Sequence, residues 1–274
     1  LPAVFEEFSE QRRNSFLHAY EIKEKNIPFV GTFCTYTPNE VIMAAGAIPV
    51  GLCSFSDETI AEAEQDLPRN LCPLVKSSYG FAKTDKCPYF YFSDLIVGET
   101  TCDGKKKMYE YLGQFKPVYT MELPNAQSPA GLELWTKEII KLKEKLESFF
   151  EVTITEEQVR EQVKIMNNVR RAMKEFYSLT LPEPVPVLGQ DLFKVLYGSS
   201  FKFDKKRLPE EVHAICEKIR AEYQENPNQP LFILDGFETT LTKIMDLDMN
   251  QVQSVTLLKD ATAKAIYGSK AANG

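Results

Sequence analysis

Short apolar runs alternate with segments of helical spacing along the first 125 residues of the chain. The runs are too short for buried helices, and turn-forming residues separate them from the helical segments, which is typical of buried strands. Strands that alternate with helices pair in parallel. The pattern therefore predicts an α/β fold with a doubly wound parallel sheet of the flavodoxin-like or Rossmann-like kind. The predicted strands span residues 27–33, 47–52, 89–97 and 117–123.

Local signals place the helices between these strands. Thr37 and Pro38 open the first helix, and Glu40 lies three residues after Thr37, as in a capping box. Asp57 is the predicted N-cap of a helix that runs through Gln65. Further helices are predicted at residues 73–81 and 102–114.

The sequence changes in character after residue 128. Long helical spacing rich in Glu, Lys and Leu predicts a helical subdomain added to the α/β unit. A linker-like stretch at 225–230 then leads into a short α+β tail. The predicted domains are an α/β domain (1–127), a helical subdomain (128–228) and the tail (229–274). Their later elements are helices at 129–150, 155–178, 191–197, 209–223 and 261–267, and strands at 231–236 and 252–258.

The charge and hydropathy of the chain argue against two classes of partner, nucleic acids and membranes. The net charge of −7 and the pI near 5.2 argue against a nucleic-acid surface, which needs clustered Lys and Arg. No apolar run approaches the ~20 residues of a membrane helix, and no signal peptide is visible. We therefore expect residues 1–228 to be cytoplasmic, without contact with a membrane.

Three cysteines share one setting. Cys34 and Cys102 follow predicted strands, Cys72 follows a loop, and each precedes a predicted helix. A helix N-terminus offers free N–H groups and the positive end of the dipole, and both stabilise a thiolate. The six cysteines are expected to be reduced in the cytoplasm, and the absence of a CxxC pair argues against a zinc knuckle. The pattern predicts an iron–sulfur site.

Other polar residues near these cysteines leave two interpretations open. Ser77, Ser78 and Tyr79 either donate hydrogen bonds to a cluster or substrate, or form an ordinary polar helix face. Lys76 and Lys105 are candidates to offset the negative charge of a cluster, whereas the run at 105–107 is otherwise read as a solvated helix face. The remaining chemistry-bearing side chains are interpreted as structural: His18, His213, Cys53 and Cys216.

Residues 1–228 resemble the 2-hydroxyacyl-CoA dehydratase D-component superfamily, in particular its double-cubane cluster branch. The motifs that carry the resemblance lie at 31–49, 66–80 and 98–110. The resemblance implies that Cys34, Cys72 and Cys102 bind a 4Fe-4S or double-cubane cluster. It also implies electrons from an ATP-hydrolysing activator, a homodimer, and an acyl-CoA or other small-molecule substrate that is dehydrated or reduced. Cys87 belongs to the branch pattern, and its role stays open.

The tail resembles a different family. Residues 230–236 and 254–274 are similar to the plug domain of SusC/RagA-type TonB-dependent outer-membrane transporters. Members of the dehydratase superfamily instead continue into a second α/β domain, so the resemblance implies a chimera whose dehydratase part is incomplete and inactive. Two alternatives follow. The chain is a non-enzymatic plug fragment fused to an inactive carrier, or the tail replaces the first strand of the second domain.

Overall fold

The computed structural model describes residues 16–182 and 185–225, and short stretches of the tail at 232–235, 237–239, 243–244, 246–248 and 252–256. The helices within these residues are α1 (16–24), α2 (Asn39–Ala44), α3 (Ile60–Ala63), α4 (Pro73–Lys83), α5 (Pro88–Phe92), α6 (Asp103–Leu112), α7 (Pro129–Phe150), α8 (Glu156–Ser178), α9 (Gly189–Ser200) and α10 (Leu208–Glu225). The strands are β1 (Phe29–Thr32), β2 (Ile48–Gly51), β3 (Leu95–Glu99), β4 (Val118–Met121), β5 (Phe232–Leu234) and β6 (Phe237–Thr239).

Strands β1 to β4 form one sheet in the order β2-β1-β3-β4, and every pair is parallel. From β1 the chain crosses to β2 on one side, returns to β3 on the other side and continues outward to β4. The direction of winding therefore reverses between β1 and β3. The predicted doubly wound α/β fold is confirmed, and the carboxyl ends of all four strands lie at one edge of the sheet.

Helices cover the central strands on both faces, which is why β1 and β3 are buried along their length and apolar except for their last residues, Thr32 and Glu99. Side chains alternate between the faces along each strand. Phe29 and Ile96 pack in the cluster that includes residues of α1, α4 and α6. Val30 and Leu95 pack in the cluster on the other face, with residues of α2 and α7. Burial of each such side chain contributes about 1.5–3 kcal/mol to folding.

Strand β2 is an outer strand of the sheet and contains a proline. The N–H of Ile48 donates to the Pro28 carbonyl (2.9 Å), and the N–H of Leu52 donates to the Thr32 carbonyl (2.9 Å). The backbone groups of successive residues point to opposite sides of a strand, so Pro49 faces the open edge. A residue without an N–H is tolerated at that position.

The helices predicted within residues 128–228 are present, whereas their grouping into a separate subdomain stays a prediction. Helices α7 and α8 have nearly the predicted bounds, and Thr155 begins α8 through a capping box with Gln158. Helix α8 packs against α10, with Phe176 fully buried between neighbouring apolar side chains. It also contacts α2, where Arg170 forms an ion pair with the nearly buried Glu40.

The segment predicted as a strand at 89–97 is extended only from Leu95 onward. Its first part is helix α5, with Pro88 at the first helical position. The Cys87 sulfur caps this helix by accepting from the N–H of Phe90 (3.4 Å). Proline at this position and a capping side chain favour a helix over the strand that the aromatic run suggested.

Two predicted helix caps are wrong. Thr37 does not cap α2, because its N–H and its hydroxyl both donate to the carboxylate of Glu99. Asp57 does not begin the next helix, since α3 starts after Thr59 and ends at Ala63. The Thr37 cap is therefore prevented by a tertiary contact, whereas the helix predicted to begin at Asp57 is shorter than its sequence pattern.

The tail is described in part. Strand β5 lies where a strand was predicted and pairs antiparallel with β6, which was not predicted. Residues 252–256 form no strand, contrary to the prediction for 252–258. Residues 257–258 and the helix predicted at 261–267 lie outside the described residues. Among the helices that the structure describes, none combines the length and the hydropathy needed to cross a bilayer.

Candidate cluster-binding site

The candidate site lies at the carboxyl edge of the sheet, where the winding reverses. The β1–α2 loop (residues 33–38) carries Cys34, and the β3–α6 loop (residues 100–102) ends with Cys102. Strands β1 and β3 are neighbours, so the two loops flank the point between them. Open α/β sheets bind their ligands in the crevice at this switch point. The predicted convergence of Cys34 and Cys102 on one edge therefore agrees with the fold.

Cys34 adopts an unusual backbone conformation. The N–H of Phe33 donates to the Val97 carbonyl (3.1 Å), after which the chain turns with Cys34 at φ 66°. The left-handed region costs about 1–2 kcal/mol for a residue with a Cβ, and such residues gather at functional sites. Cys34 precedes α2, as predicted, but it lies in the loop and not at the helix N-terminus itself, because α2 starts only at Asn39.

The Cys34 thiol contacts Lys105. Its Sγ lies 2.6 Å from Lys105 Nζ and 3.4 Å from Thr101 Oγ1, and Lys105 Nζ is also 3.9 Å from Cys53 Sγ. Lys105 is buried. Burial opposes its charge, but the sulfur of Cys34 and the nearby thiols of Cys53 and Cys102 raise the pKa of Lys105 above its ordinary value. Lys105 is thus a buried cation next to the thiols and does not belong to the predicted solvated helix face. Its neighbour Lys106 is exposed, as that prediction requires.

Cys72 and Cys102 are N-cap residues, as predicted. Their carbonyls accept the first helical N–H groups, at 3.1 Å each, and neither thiol is used as a cap. Both side chains are exposed. The two helix starts are adjacent: a Cβ on Gly104 would come within 2.8 Å of Leu71 Cδ1, so glycine allows this approach. Free N–H groups and two positive dipole ends therefore accompany these thiols.

The chemistry of the three thiols, rather than their spacing, suits a cluster. Within the described residues, only one trio of potential ligand side chains has its ligand atoms within 4.8 Å of one another, and that trio contains no cysteine. At least one Sγ–Sγ distance among Cys34, Cys72 and Cys102 therefore exceeds 4.8 Å. In a cluster each thiolate binds a different iron, and soft thiolates are the ligands that iron–sulfur clusters select. The donor set and its positive surroundings fit such a group.

Glu99, at the end of β3, is a residue that our sequence reasoning missed. Its side chain is fully buried. Oε1 accepts from Thr37 Oγ1 (2.7 Å) and from the Thr37 N–H, and Oε2 has no hydrogen-bond partner among the described residues. Burial raises the pKa of Glu99, while the Thr37 hydrogen bonds oppose that rise. The available signal was a carboxylate at the end of an otherwise apolar strand.

The serines predicted to bind the cofactor are buried in α4. Ser77 Oγ donates to the Ser56 carbonyl, and Ser78 Oγ accepts from the N–H of Ser54 (3.0 Å). These bonds fasten the segment after β2 to α4. An ordinary solvated helix face is therefore the wrong description, and the role of both serines in cofactor binding stays a prediction.

Tyr79 and Lys76 are also engaged within the chain. The buried Tyr79 donates its hydroxyl proton to Asp66 (2.7 Å), and burial, together with Asp66, raises its pKa. Lys76 pairs with Glu64 at 2.7 Å. Cofactor binding by Tyr79 stays a prediction, and Lys105 rather than Lys76 is the lysine that contacts a candidate ligand.

The other cysteines have different surroundings. Cys53 and Cys87 line one small cleft, together with Tyr197 of α9 and Phe201, the residue that follows α9. Cys216 is buried in α10, and burial raises the pKa of its thiol to about 11, which suits a packing role. The sequence favours a buried free thiol for Cys53, two residues after β2; in the structure it is half-buried, and its Sγ lies 3.9 Å from Lys105 Nζ at the candidate site.

The three candidate cysteines lie within a region of the chain that matches a known protein family. The family model for the D-component of 2-hydroxyglutaryl-CoA dehydratase matches residues 34–265. The chain belongs to this family. The matched range begins at Cys34 and includes Cys72 and Cys102.

Two curated relatives show how much of such a protein this chain represents. YjiM of Escherichia coli (strain K12), described as a dehydratase subunit, is 54% identical over 240 residues, covering 86% of this chain and 63% of YjiM. The beta subunit of lactoyl-CoA dehydratase from Anaerotignum propionicum is 26% identical over 229 residues, covering 82% of this chain and 58% of that subunit. The chain thus spans about three fifths of the length of these relatives.

The tail has a second, shorter similarity. TonB-dependent receptor P26 of Formosa agariphila is 42% identical over 48 residues, which cover 17% of this chain and 5% of the receptor. The dehydratase family match nevertheless extends to residue 265, beyond the predicted boundary at 228.

Proposed function

We propose that this chain is the iron–sulfur cluster-binding component of a low-potential reductase or 2-hydroxyacyl-CoA dehydratase-like protein, with Cys34, Cys72 and Cys102 as cluster ligands. The observation that carries the proposal is the pair of cysteine-bearing loops at the switch point of the sheet, with the Lys105 ammonium in contact with the Cys34 sulfur. Membership of the dehydratase D-component family supports it.

The side chains of this site have separable tasks. The thiolates hold the cluster, which when bound supplies electrons at low potential. Lys105 offsets the negative charge of a thiolate-bound cluster from within the protein, where water does not screen it. The N-termini of α4 and α6 add the partial positive charge of their free N–H groups at Cys72 and Cys102.

The partners follow from the family. We propose that an ATP-hydrolysing activator delivers electrons to the cluster, that the protein acts as a homodimer, and that the substrate is an acyl-CoA or another small molecule. The name of the Anaerotignum relative, a dehydratase beta subunit, supports a further partner component. The chain spans about three fifths of its relatives' length, and we propose that the dehydratase or reductase activity requires the whole protein and that this chain alone is inactive.

Reconstitution with iron and sulfide under anaerobic conditions tests the ligand assignment. We expect the 274-residue chain to bind both and Cys102→Ser to lose most of the iron, because Cys102 is an exposed N-cap residue whose thiol does not cap the helix. Cys216→Ser is the matched control, since its thiol is buried in α10 and should leave the iron content unchanged. Equal iron in both variants would contradict the assignment.

A second candidate concerns the tail. We propose that residues 229–274 are a plug-like segment of a TonB-dependent transporter joined to the dehydratase-like part, and the 48-residue similarity to receptor P26 supports this. The family match that extends to residue 265 speaks against it.

Limited proteolysis distinguishes the two origins of the tail. A foreign segment of this size, without its own core, should be cleaved between Glu225 and Pro230 and leave an iron-binding core. A tail that is as resistant as the core would instead favour a native part of the dehydratase fold.

A further inference from the structure

Glu99 connects the two loops that carry the candidate ligands. It is the last residue of β3, three positions before Cys102, and its Oε1 accepts both the N–H and the hydroxyl of Thr37, three positions after Cys34. The β1–α2 loop makes other polar contacts at its start: the N–H of Phe33 donates to the Val97 carbonyl (3.1 Å), and Cys34 Sγ lies 3.4 Å from Thr101 Oγ1 and 2.6 Å from Lys105 Nζ. The carboxylate of Glu99 instead holds the end of this loop, just before α2.

The backbone of Glu99 is itself held in place by a contact with Tyr109. Gly98 has no side chain, and the Tyr109 ring occupies the space that a Cβ there would need, with Cζ only 2.4 Å from that position. The Tyr109 hydroxyl consequently reaches the N–H of Glu99 and accepts from it at 3.2 Å. On the other side, Thr100 Oγ1 accepts from the N–H of Leu123 (2.8 Å). The β3–α6 loop is thus a fixed support for the side chain of Glu99.

The buried carboxyl group of Glu99 lowers the stability of the folded protein. It is fully buried, one oxygen carries both hydrogen bonds, and the other has no partner among the described residues. Burying the unpaired Oε2 disfavours folding. An apolar residue at position 99 would avoid that cost, but it would leave the buried N–H and hydroxyl of Thr37 without an acceptor. The feature that only an acceptor provides here is a defined position for the Thr37 backbone.

We propose that Glu99 is the positioning residue of the cysteine edge: its carboxylate holds the β1–α2 loop so that Cys34 faces Lys105 and the β3–α6 loop. The inference rests on the proposed function, because it concerns the same cysteines. In addition, the position of Cys34 relative to the other candidate ligands is set by Glu99, a side chain that itself binds no iron.

Hydrogen exchange of the metal-free protein tests the link without any cluster. In Glu99→Ala the amide of Thr37 loses its acceptor, and we expect its exchange to accelerate at least about tenfold, since a hydrogen bond to a charged group stabilises by that factor or more. Glu99→Gln keeps a carbonyl oxygen at the accepting position and should restore slow exchange. Thr37→Val removes only the hydroxyl donor and should give an intermediate rate.

Glu138 provides the matched control. It is also a buried carboxylate that accepts a backbone N–H just after a sheet strand, with Oε2 at 3.0 Å from the N–H of Glu122. Glu138→Ala should accelerate exchange at Glu122 and leave Thr37 unchanged, and Glu99→Ala should do the reverse. Unchanged exchange at Thr37 in Glu99→Ala would overturn the proposal.

Anaerobic reconstitution then asks whether the link matters for the cluster. We expect Glu99→Ala to retain less than half of the wild-type iron and to broaden the electron paramagnetic resonance signal of the reduced protein, with both properties rescued in Glu99→Gln. Normal iron and an unchanged signal in Glu99→Ala would refute the positioning role. If the wild-type protein itself bound no iron, the proposed function would fail, while the exchange experiment would still decide whether Glu99 holds the loop.

Discussion

Replacing Gly98 by alanine tests how tightly the sheet is packed beneath the cysteine edge. A Cβ at this position would lie 2.4 Å from Cζ of Tyr109 and 2.6–2.7 Å from its two Cε atoms. These distances are far below ordinary contact, and the buried ring has to move. Such overpacking costs about 1–3 kcal/mol.

The displaced ring also loses a hydrogen bond. The N–H of Glu99 donates to the Tyr109 hydroxyl at 3.2 Å, and leaving that buried donor unpaired costs about 1–3 kcal/mol. Alanine is the better strand residue by about 0.5–1 kcal/mol, which is the smaller effect. We therefore expect Gly98→Ala to lower the free energy of unfolding by about 3 kcal/mol, measured by urea denaturation.

Two comparisons make this expectation specific. Gly51→Ala places a methyl group in the same sheet where no atom lies within 4 Å, so stability should be unchanged or rise by up to about 1 kcal/mol. In a Tyr109→Leu background the shorter side chain leaves room, and the cost of Gly98→Ala should fall below about 1 kcal/mol. If the cost were the same in both backgrounds, the assignment of the clash to the Tyr109 ring would be refuted.

Two further predictions concern charged side chains. Lys105→Met should lower the iron retained after anaerobic reconstitution because it removes the buried ammonium at Cys34, whereas Lys106→Met, at an exposed position, should not; equal iron in both variants would contradict a role for the Lys105 charge. The hydrogen bonds from Lys83 and Tyr79 hold the pKa of Asp66 below its ordinary value of 3.8, so its contribution to stability is present above that pH and is lost as the pH falls through its lower folded-state pKa. The difference in unfolding free energy between wild type and Asp66→Asn should therefore shrink as the pH falls below about 4, and a difference independent of pH would argue against this contact.

The sequence was most informative where one local signal agreed with a periodic pattern. Spacing predicts that helices α7 and α8 begin at residues 129 and 155; they begin at Pro129 and Glu156, where Ser128 and Thr155 act as N-caps. The parallel sheet was predictable because short apolar runs alternated with helices. The shared edge of Cys34 and Cys102 then followed from the geometry of parallel strands, which needs no knowledge of side-chain contacts.

The sequence was least informative where a tertiary contact competes with a local pattern. Thr37 has the spacing of a capping box, but the buried carboxylate of Glu99 takes both of its donors. The aromatic residues before β3 have strand propensity, yet Pro88 and the Cys87 sulfur begin a helix there. Thr37, which bonds to Glu99, and Cys34, which contacts Lys105, lie 62 and 71 residues away in the chain, so no local window contains them.

Pro49 has a consequence for self-association. Unpaired N–H groups on an outer strand are a template onto which another chain can add, and natural sheets protect such edges with proline. Along β2 the outward-facing positions are Pro49 and Gly51, so proline removes one of the two outward donors. A strand from another chain would therefore have few backbone N–H donors to pair with at the outer edge of β2. Any dimer of the protein is therefore expected to form through helices or loops, or beyond β4, and Pro49→Val should increase aggregation without a loss of native stability.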